Sequence, residues 1–293
     1  MLSNMLACSH VSKQSGDTTI LHDVSFAIAP KDCACIVGPS GAGKSTLLNL
    51  LVRAEDPTSG AVTVDNVDVR TLPGPVLQLF RRRLGIISQE PMLMSWATVA
   101  ENLAYPLEIR EMTDVAIAKA VKQMLATLEL SNKSHLLPAD LSPGELRLVA
   151  MGRALIAKPL IVLADEPLAQ LDTDQRVIAL QILQDAREAG SSLLIFSQDA
   201  SLAAHFGARI LRLDGKMKEE SAPAQLKKKP AEEPMTEVAP EHHILEEEGA
   251  VQVAIRAKNK VIKKDLSDEV LVNKEAAPPE KGKRKIRITA INS

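Results

Sequence analysis

The run Gly38-Pro-Ser-Gly-Ala-Gly-Lys-Ser-Thr46 follows an apolar, β-rich segment and opens a helical one. Glycines in such a turn let successive backbone N–H groups converge on one point. The start of the following helix adds its partial positive charge there, and a lysine reaches the same place. That combination is a phosphate cradle. Gly38, Pro39, Ser40, Gly41, Ala42 and Gly43 are expected to form its wall, with Lys44 on the outer phosphates, Ser45 as magnesium ligand and Thr46 at the helix start.

A second element, Leu160-Ile-Val-Leu-Ala-Asp-Glu-Pro167, is an apolar strand ending in two carboxylates. Two acids at a strand end are ordinarily a solvated terminus. Downstream of a complete phosphate loop they carry chemistry: Asp165 is expected to hold the magnesium hydration shell, and Glu166 to orient or polarise an attacking water.

Up to about Gly215 short β-branched runs alternate with longer helical patterns, which is the signature of an α/β layered fold. Leu160 to Ala164 and Ser192 to Ser197 read as central parallel strands, since a strand buried on both faces loses its polar alternation. Thr19 to Ile28, Asp32 to Val37, Val62 to Val69 and Leu84 to Ser88 read as further strands, with a turn at Pro57-Thr-Ser-Gly60. Lys44 to Ala54, Asp114 to Leu130, Pro143 to Ala157 and Asp174 to Ala189 carry helical periodicity.

From Lys216 onward the composition changes. Phe, Tyr and Trp are absent, an acid-rich stretch runs from Glu219 to Glu248, and a base-rich end closes on Lys281-Gly-Lys-Arg-Lys285. Such a segment buries too little apolar surface to offset its ordering entropy. Residues 1–215 are therefore expected to form the folded unit and 216–293 a charged, largely disordered extension. Inside that extension, Val251-Gln-Val-Ala-Ile-Arg256 and Lys285-Ile-Arg-Ile-Thr-Ala290 alternate apolar and polar residues as half-buried strands do, although alternation this short also arises by chance.

A formal charge of -2 argues against a chain-wide electrostatic footprint for nucleic acid, and no such partner is expected. No window approaches the roughly 18 uninterrupted apolar residues of a membrane-spanning helix, and Met1 to His10 lacks the features of a secretory signal, so a cytoplasmic chain is expected. Cys8, Cys33 and Cys35 lack zinc-ligand spacing and read as reduced, buried thiols.

Three further motifs lie between and beyond the two phosphate-site elements. Ile87-Ser-Gln-Glu-Pro91, Leu141-Ser-Pro-Gly-Glu145 and Leu171-Asp172 resemble, in order and spacing, the Q-loop, signature motif and D-loop of ABC ATPases. The resemblance covers Val11 to about Asp214. It implies an α/β P-loop NTPase of the ABC ATPase type, with a mostly parallel core sheet, an antiparallel β subdomain and a helical subdomain. It also implies ATP and Mg2+ as ligands, with Gln89 as a magnesium contact and link to a membrane subunit. Ser142, Gly144 and Glu145 would open a helix whose free N–H groups face the γ-phosphate of ATP held on a second protomer. ATP would then join two chains, and its hydrolysis would release them.

Ser40 to Thr46, Leu51 to Thr58, Phe80-Arg-Arg-Arg-Leu-Gly85 and Ala164-Asp-Glu-Pro167 together look like the FtsE group of cell-division ATPases. That group partners the membrane protein FtsX, and the related lipoprotein-releasing and MacB-type efflux ATPases share most of these features. The likeness implies an FtsX-like integral membrane partner, a homodimer or a heterodimer with another ABC subunit, and a place on the inner face of the cell membrane.

Three departures bear on mechanism. Gln198 stands where the family carries a histidine that contacts the γ-phosphate; glutamine bonds a phosphate oxygen but carries no imidazolium charge, so slow hydrolysis is expected. Pro143 replaces the first glycine of the signature and removes one backbone N–H at a helix start. Cys8 to Gly16 contains no aromatic residue, where the family stacks one on adenine. Two readings stay open: a working ATPase that powers a membrane partner, and an ATP-binding regulatory subunit impaired in hydrolysis.

Overall fold

The computed structural model describes residues 5–220. The chain opens with β1 (Leu6–Ser15) and β2 (Thr18–Ile28), then β3 (Cys33–Val37) leads into α1 (Lys44–Leu51). Next come β4 (Ser59–Val64), β5 (Val67–Asp68), α2 (Gly74–Arg81) and β6 (Leu84–Ile87). Three helices follow: α3 (Val99–Glu108), α4 (Asp114–Thr127) and α5 (Pro143–Leu155). The chain then alternates through β7 (Ile161–Asp165), α6 (Thr173–Glu188), β8 (Ser192–Ser197), α7 (Ser201–Phe206), β9 (Arg209–Asp214) and β10 (Lys216–Glu220).

Two sheets result. β2-β1-β4-β5 is an antiparallel sheet, and β10-β9-β3-β8-β7-β6 is a second sheet, parallel from β9 to β6 with β10 antiparallel at its edge. Every residue of β3, β7 and β8 is buried, because these central strands are covered on both faces. Alternate residues of one strand point to opposite faces. Ile195 accordingly belongs to the cluster that holds Leu103, Leu148 and Leu183 of the helical layer, whereas Phe196 belongs to the one that holds Leu47 and Leu50 of α1 and Val24 of the antiparallel sheet.

The expected mostly parallel core sheet, antiparallel β subdomain and helical layer are all present. Several boundaries differ. The strand expected over Val62 to Val69 is two strands, because Asp65 and Asn66 take φ of 48° and 64° and reverse the chain between β4 and β5. Asp and Asn tolerate this left-handed region better than other non-glycine residues. The helix expected to reach Ala54 stops at Leu51, with Arg53 at φ 53°.

The boundary expected after Gly215 falls inside a hairpin: β10 pairs with β9, and Arg209 Nη1 meets Glu219 Oε1 at 2.9 Å. The extension from residue 221, including the two segments with strand-like alternation, lies outside the described residues. No helix among the described residues is long and apolar enough to cross a membrane.

Asn102, fully buried in α3, fixes the loop that precedes that helix. Its Oδ1 accepts from Met94 N at 2.9 Å, and its Nδ2 faces the carbonyls of Met94, Ala97 and Thr98 at 3.0 to 3.1 Å. Thr98 and Glu101 close a capping box at the helix start.

Candidate nucleotide site

The phosphate loop springs from the end of β3. Gly38 N–H donates to the Ser197 carbonyl at 3.2 Å, which ties the loop to β8. Gly41 and Gly43 take φ of 80° and 91°, conformations that L side chains rarely adopt. A Cβ on Gly41 would meet nothing within 4 Å, so the loop is open there; one on Gly43 would meet Leu21 at 2.7 Å, so the loop is packed against β2 at that point. Pro39, Ser40 and Ser45 are exposed, while Ala42 and Lys44 are buried.

Lys44 folds its ammonium back into the loop, donating to the carbonyls of Gly38 at 2.8 Å and Pro39 at 3.0 Å. Ser45 Oγ donates to Asp165 Oδ2 at 2.8 Å. The strand β7 delivers Asp165 to this point, and Glu166 follows with φ 46°, its N–H bonded to the Phe196 carbonyl at 2.9 Å. Glu166 Oε1 lies 3.9 Å from Lys44 Nζ and is buried with no hydrogen-bond partner among the described residues. A polar oxygen in that state is costly unless a ligand meets it.

Ser197, at the end of β8, joins this group although its role is not legible in the sequence. Its hydroxyl accepts from Asp199 N–H at 3.0 Å and donates to Glu166 Oε2 at 3.3 Å. Gln198, between the two, is exposed. Ser197, Asp199 and Glu166 line a small cavity of about 160 Å³ together with Leu168, Ala169, Arg176 and Leu202. The larger groove, about 590 Å³ between α3 and α4, shares none of these residues.

Arg147 of α5 is the second unexpected member. It is 1% exposed, and its guanidinium bonds the carbonyls of Ser88 and Gln89, pinning the segment after β6 to the signature helix. Burial lowers its pKa, and the charges of Asp165 and Glu166 oppose that shift. An arginine among Leu146, Leu148 and Val149 was the available signal, since an apolar helix face tolerates a charge only where it finds partners.

Of the remaining sequence-predicted residues, Gln89 meets this cluster through its main chain, and Ser142 to Glu145 lie at the start of α5. Gln89 is exposed, with its main chain held by Arg147. Ser142 caps α5, Pro143 occupies the first helical turn, and Glu145 closes a capping box with Ser142. Gly144 sits against α6, where a Cβ would meet Gln175 Oε1 at 1.9 Å. Among the described residues no hydrogen bond or ion pair joins Ser142 to Glu145 with the phosphate loop of the same chain.

The donor set fits a nucleotide with a hard cation. An open glycine turn and a lysine that among the described residues donates to loop carbonyls are what an incoming triphosphate would engage, and the partnerless carboxylate oxygen is what a water beside it would satisfy. Ser45 and Asp165 offer two oxygen donors, suited to a magnesium ion that keeps waters and phosphate oxygens as its other ligands. Among the described residues no group of three or more His, Cys, Asp or Glu could hold a metal by itself.

Residues 21–169 match the protein family described as ABC transporter. The glutamine transport ATP-binding protein GlnQ of Escherichia coli (strain K12) is 34% identical over 235 residues, covering 80% of this chain and 98% of that protein. The cell division ATP-binding protein FtsE of Mycobacterium tuberculosis is 35% identical over 211 residues, covering 71% and 92%. Among solved structures, the dimeric post-hydrolysis state of the ATP-binding cassette MJ0796 bound to ADP and Pi superposes with a TM-score of 0.69 at 31% identity, over 75% of this chain and all of that one. A family match across more than half of the chain, with relatives above 30% identity spanned almost end to end, means that the chain belongs to the ABC transporter family as one of its ATP-binding subunits.

Proposed function

We propose that this chain binds and hydrolyses ATP with Mg2+ in an FtsEX-like membrane complex, where ATP-driven closure of two ATP-binding subunits transmits force to an integral membrane partner in cell division. The observation that carries the ATPase reading is the convergence of Lys44, Ser45, Asp165 and Glu166, with Glu166 Oε1 buried and unpartnered. Lys44 and the loop N–H groups hold the phosphates, and Glu166 orients the attacking water and takes its proton. Ser45, Asp165 and Gln89 hold magnesium, which when bound neutralises charge developing on the phosphates. Ser142, Gly144 and Glu145 complete the site from the second subunit, consistent with their separation from the phosphate loop of their own chain. The chain then sits peripherally on the inner face of the membrane.

FtsE proteins of two organisms are among the relatives, which supports the cell-division role. Relatives named for glutamine transport and methionine import support a transporter partner instead. Purification of the tagged chain from detergent-solubilised membranes tests this. A four-span partner with a large extracytoplasmic loop is the expected result, and a many-span permease with a solute-binding protein would assign the chain to import.

A second reading, a regulatory subunit that binds ATP and hydrolyses it poorly, is favoured by Gln198 at the switch position and by Pro143 in the first turn of α5. Turnover assayed on the native chain and on Gln198→His separates the two. Absence of activity in the native chain with recovery in the variant would establish the regulatory reading.

A further inference from the structure

The signature turn carries a charge problem. Ser142 Oγ accepts from Glu145 N–H at 3.3 Å, and Glu145 Oε2 accepts from Ser142 N–H at 3.0 Å, so a full negative charge sits on the start of α5. The start of a helix carries roughly half a positive charge. One carboxylate at that distance more than cancels it, and the proposed ligand of this turn is itself an anion.

Lys133 removes the conflict. Its Nζ meets Glu145 Oε1 at 2.6 Å, with the two side chains 33% and 18% exposed. The same hydrogen bond, ahead of the backbone bond from Ser142, holds the Glu145 carboxyl below its ordinary range and so keeps it ionised. Lys133 comes from a short 3-10 turn, Ser131–Lys133, that precedes the signature segment, and the rest of the capping box does not depend on it.

We propose that Lys133 is a positioning residue of the signature turn: by neutralising and orienting Glu145 it keeps the start of α5 receptive to the terminal phosphate of ATP bound on a second subunit. This rests on the reading that Ser142 to Glu145 act across a pair of chains. A purely structural tie between the 3-10 turn and α5 makes a different prediction, because such a tie would be lost equally whether or not Glu145 is charged.

The test is ATP-dependent dimerisation of the full chain, followed by sedimentation with Mg2+ and an ATP analogue that resists hydrolysis, alongside analogue binding and melting temperature. Lys133→Met is expected to weaken the dimer by about tenfold while leaving analogue binding unchanged. Lys133→Arg should keep the wild-type value. Lys133→Met combined with Glu145→Gln should dimerise more tightly than Lys133→Met alone, since the uncompensated charge is gone, and a double variant that improves on the single one also excludes misfolding as the cause. A wild-type dimer that Lys133→Met leaves unaltered, or a double variant as weak as the single one, would overturn the inference alone. A wild-type chain that binds the analogue and stays monomeric would overturn the two-chain reading, and the inference with it.

Discussion

The Lys44 ammonium stands 3.9 Å from Glu166 Oε1, and among the described residues that oxygen has no hydrogen-bond partner although it is buried. The lysine meanwhile donates to two carbonyls of its own loop, which leaves one of its three N–H groups for a phosphate. Charge attraction at this distance draws the carboxylate toward the phosphate loop without filling its lone pairs. Those lone pairs are free for a water. Glu166→Gln keeps the shape and loses the ability to take a proton, so ATP binding should persist while turnover falls about a hundredfold or more. Phosphate release and nucleotide binding measured on one preparation check this.

Gln198 lies between Ser197, bonded to Glu166, and Asp199, whose N–H that serine accepts. A histidine there adds a cationic donor next to a serine whose hydroxyl already bonds the Glu166 carboxylate. Gln198→His should therefore raise the turnover number by at least about tenfold with little change in ATP affinity. Steady-state kinetics over a range of ATP concentrations separates the two parameters.

From a fully buried position Asn102 accepts from Met94 N–H and shares its two amide hydrogens among three carbonyls around the start of α3. Asn102→Leu fills the same volume but leaves Met94 N–H without its partner. The cost should be about 2 to 4 kcal/mol, read as a lowered midpoint in urea unfolding with little change in slope.

The three cysteines are free and buried. Burial pushes the Cys33 thiol up to about 11 and Cys35 to about 12, and raises Cys8 as well. The thiolate is the reactive form, so raised values suppress it at neutral pH. Native chain at pH 7.5 should leave all three unmodified by iodoacetamide, and chain unfolded in guanidinium should be modified at all three, as counted by intact mass.

Local chemistry made much of this legible in advance. Gly38 to Thr46 and Asp165-Glu166 could be read because glycine spacing, a strand before and a helix after leave few other conformations. Asp65-Asn66 was a turn signal inside what hydropathy alone presented as one strand. The helix α3 was hidden by Pro106, which lies near its end, although Thr98 and Glu101 spell a capping box. The Ser197 link to Glu166 and the Arg147 hold on Ser88 and Gln89 join residues 31 and more than 50 positions apart, and only the sheet order and the packing of α5 bring them together.

Equilibrium binding of Mg-ATP to the intact chain and to Lys44→Ala tests the central claim most directly. Saturable binding that weakens at least about tenfold when the ammonium is removed is the predicted result. Equal affinity in the two proteins would contradict the account, because the phosphates would then lie somewhere other than the Gly38 to Thr46 loop.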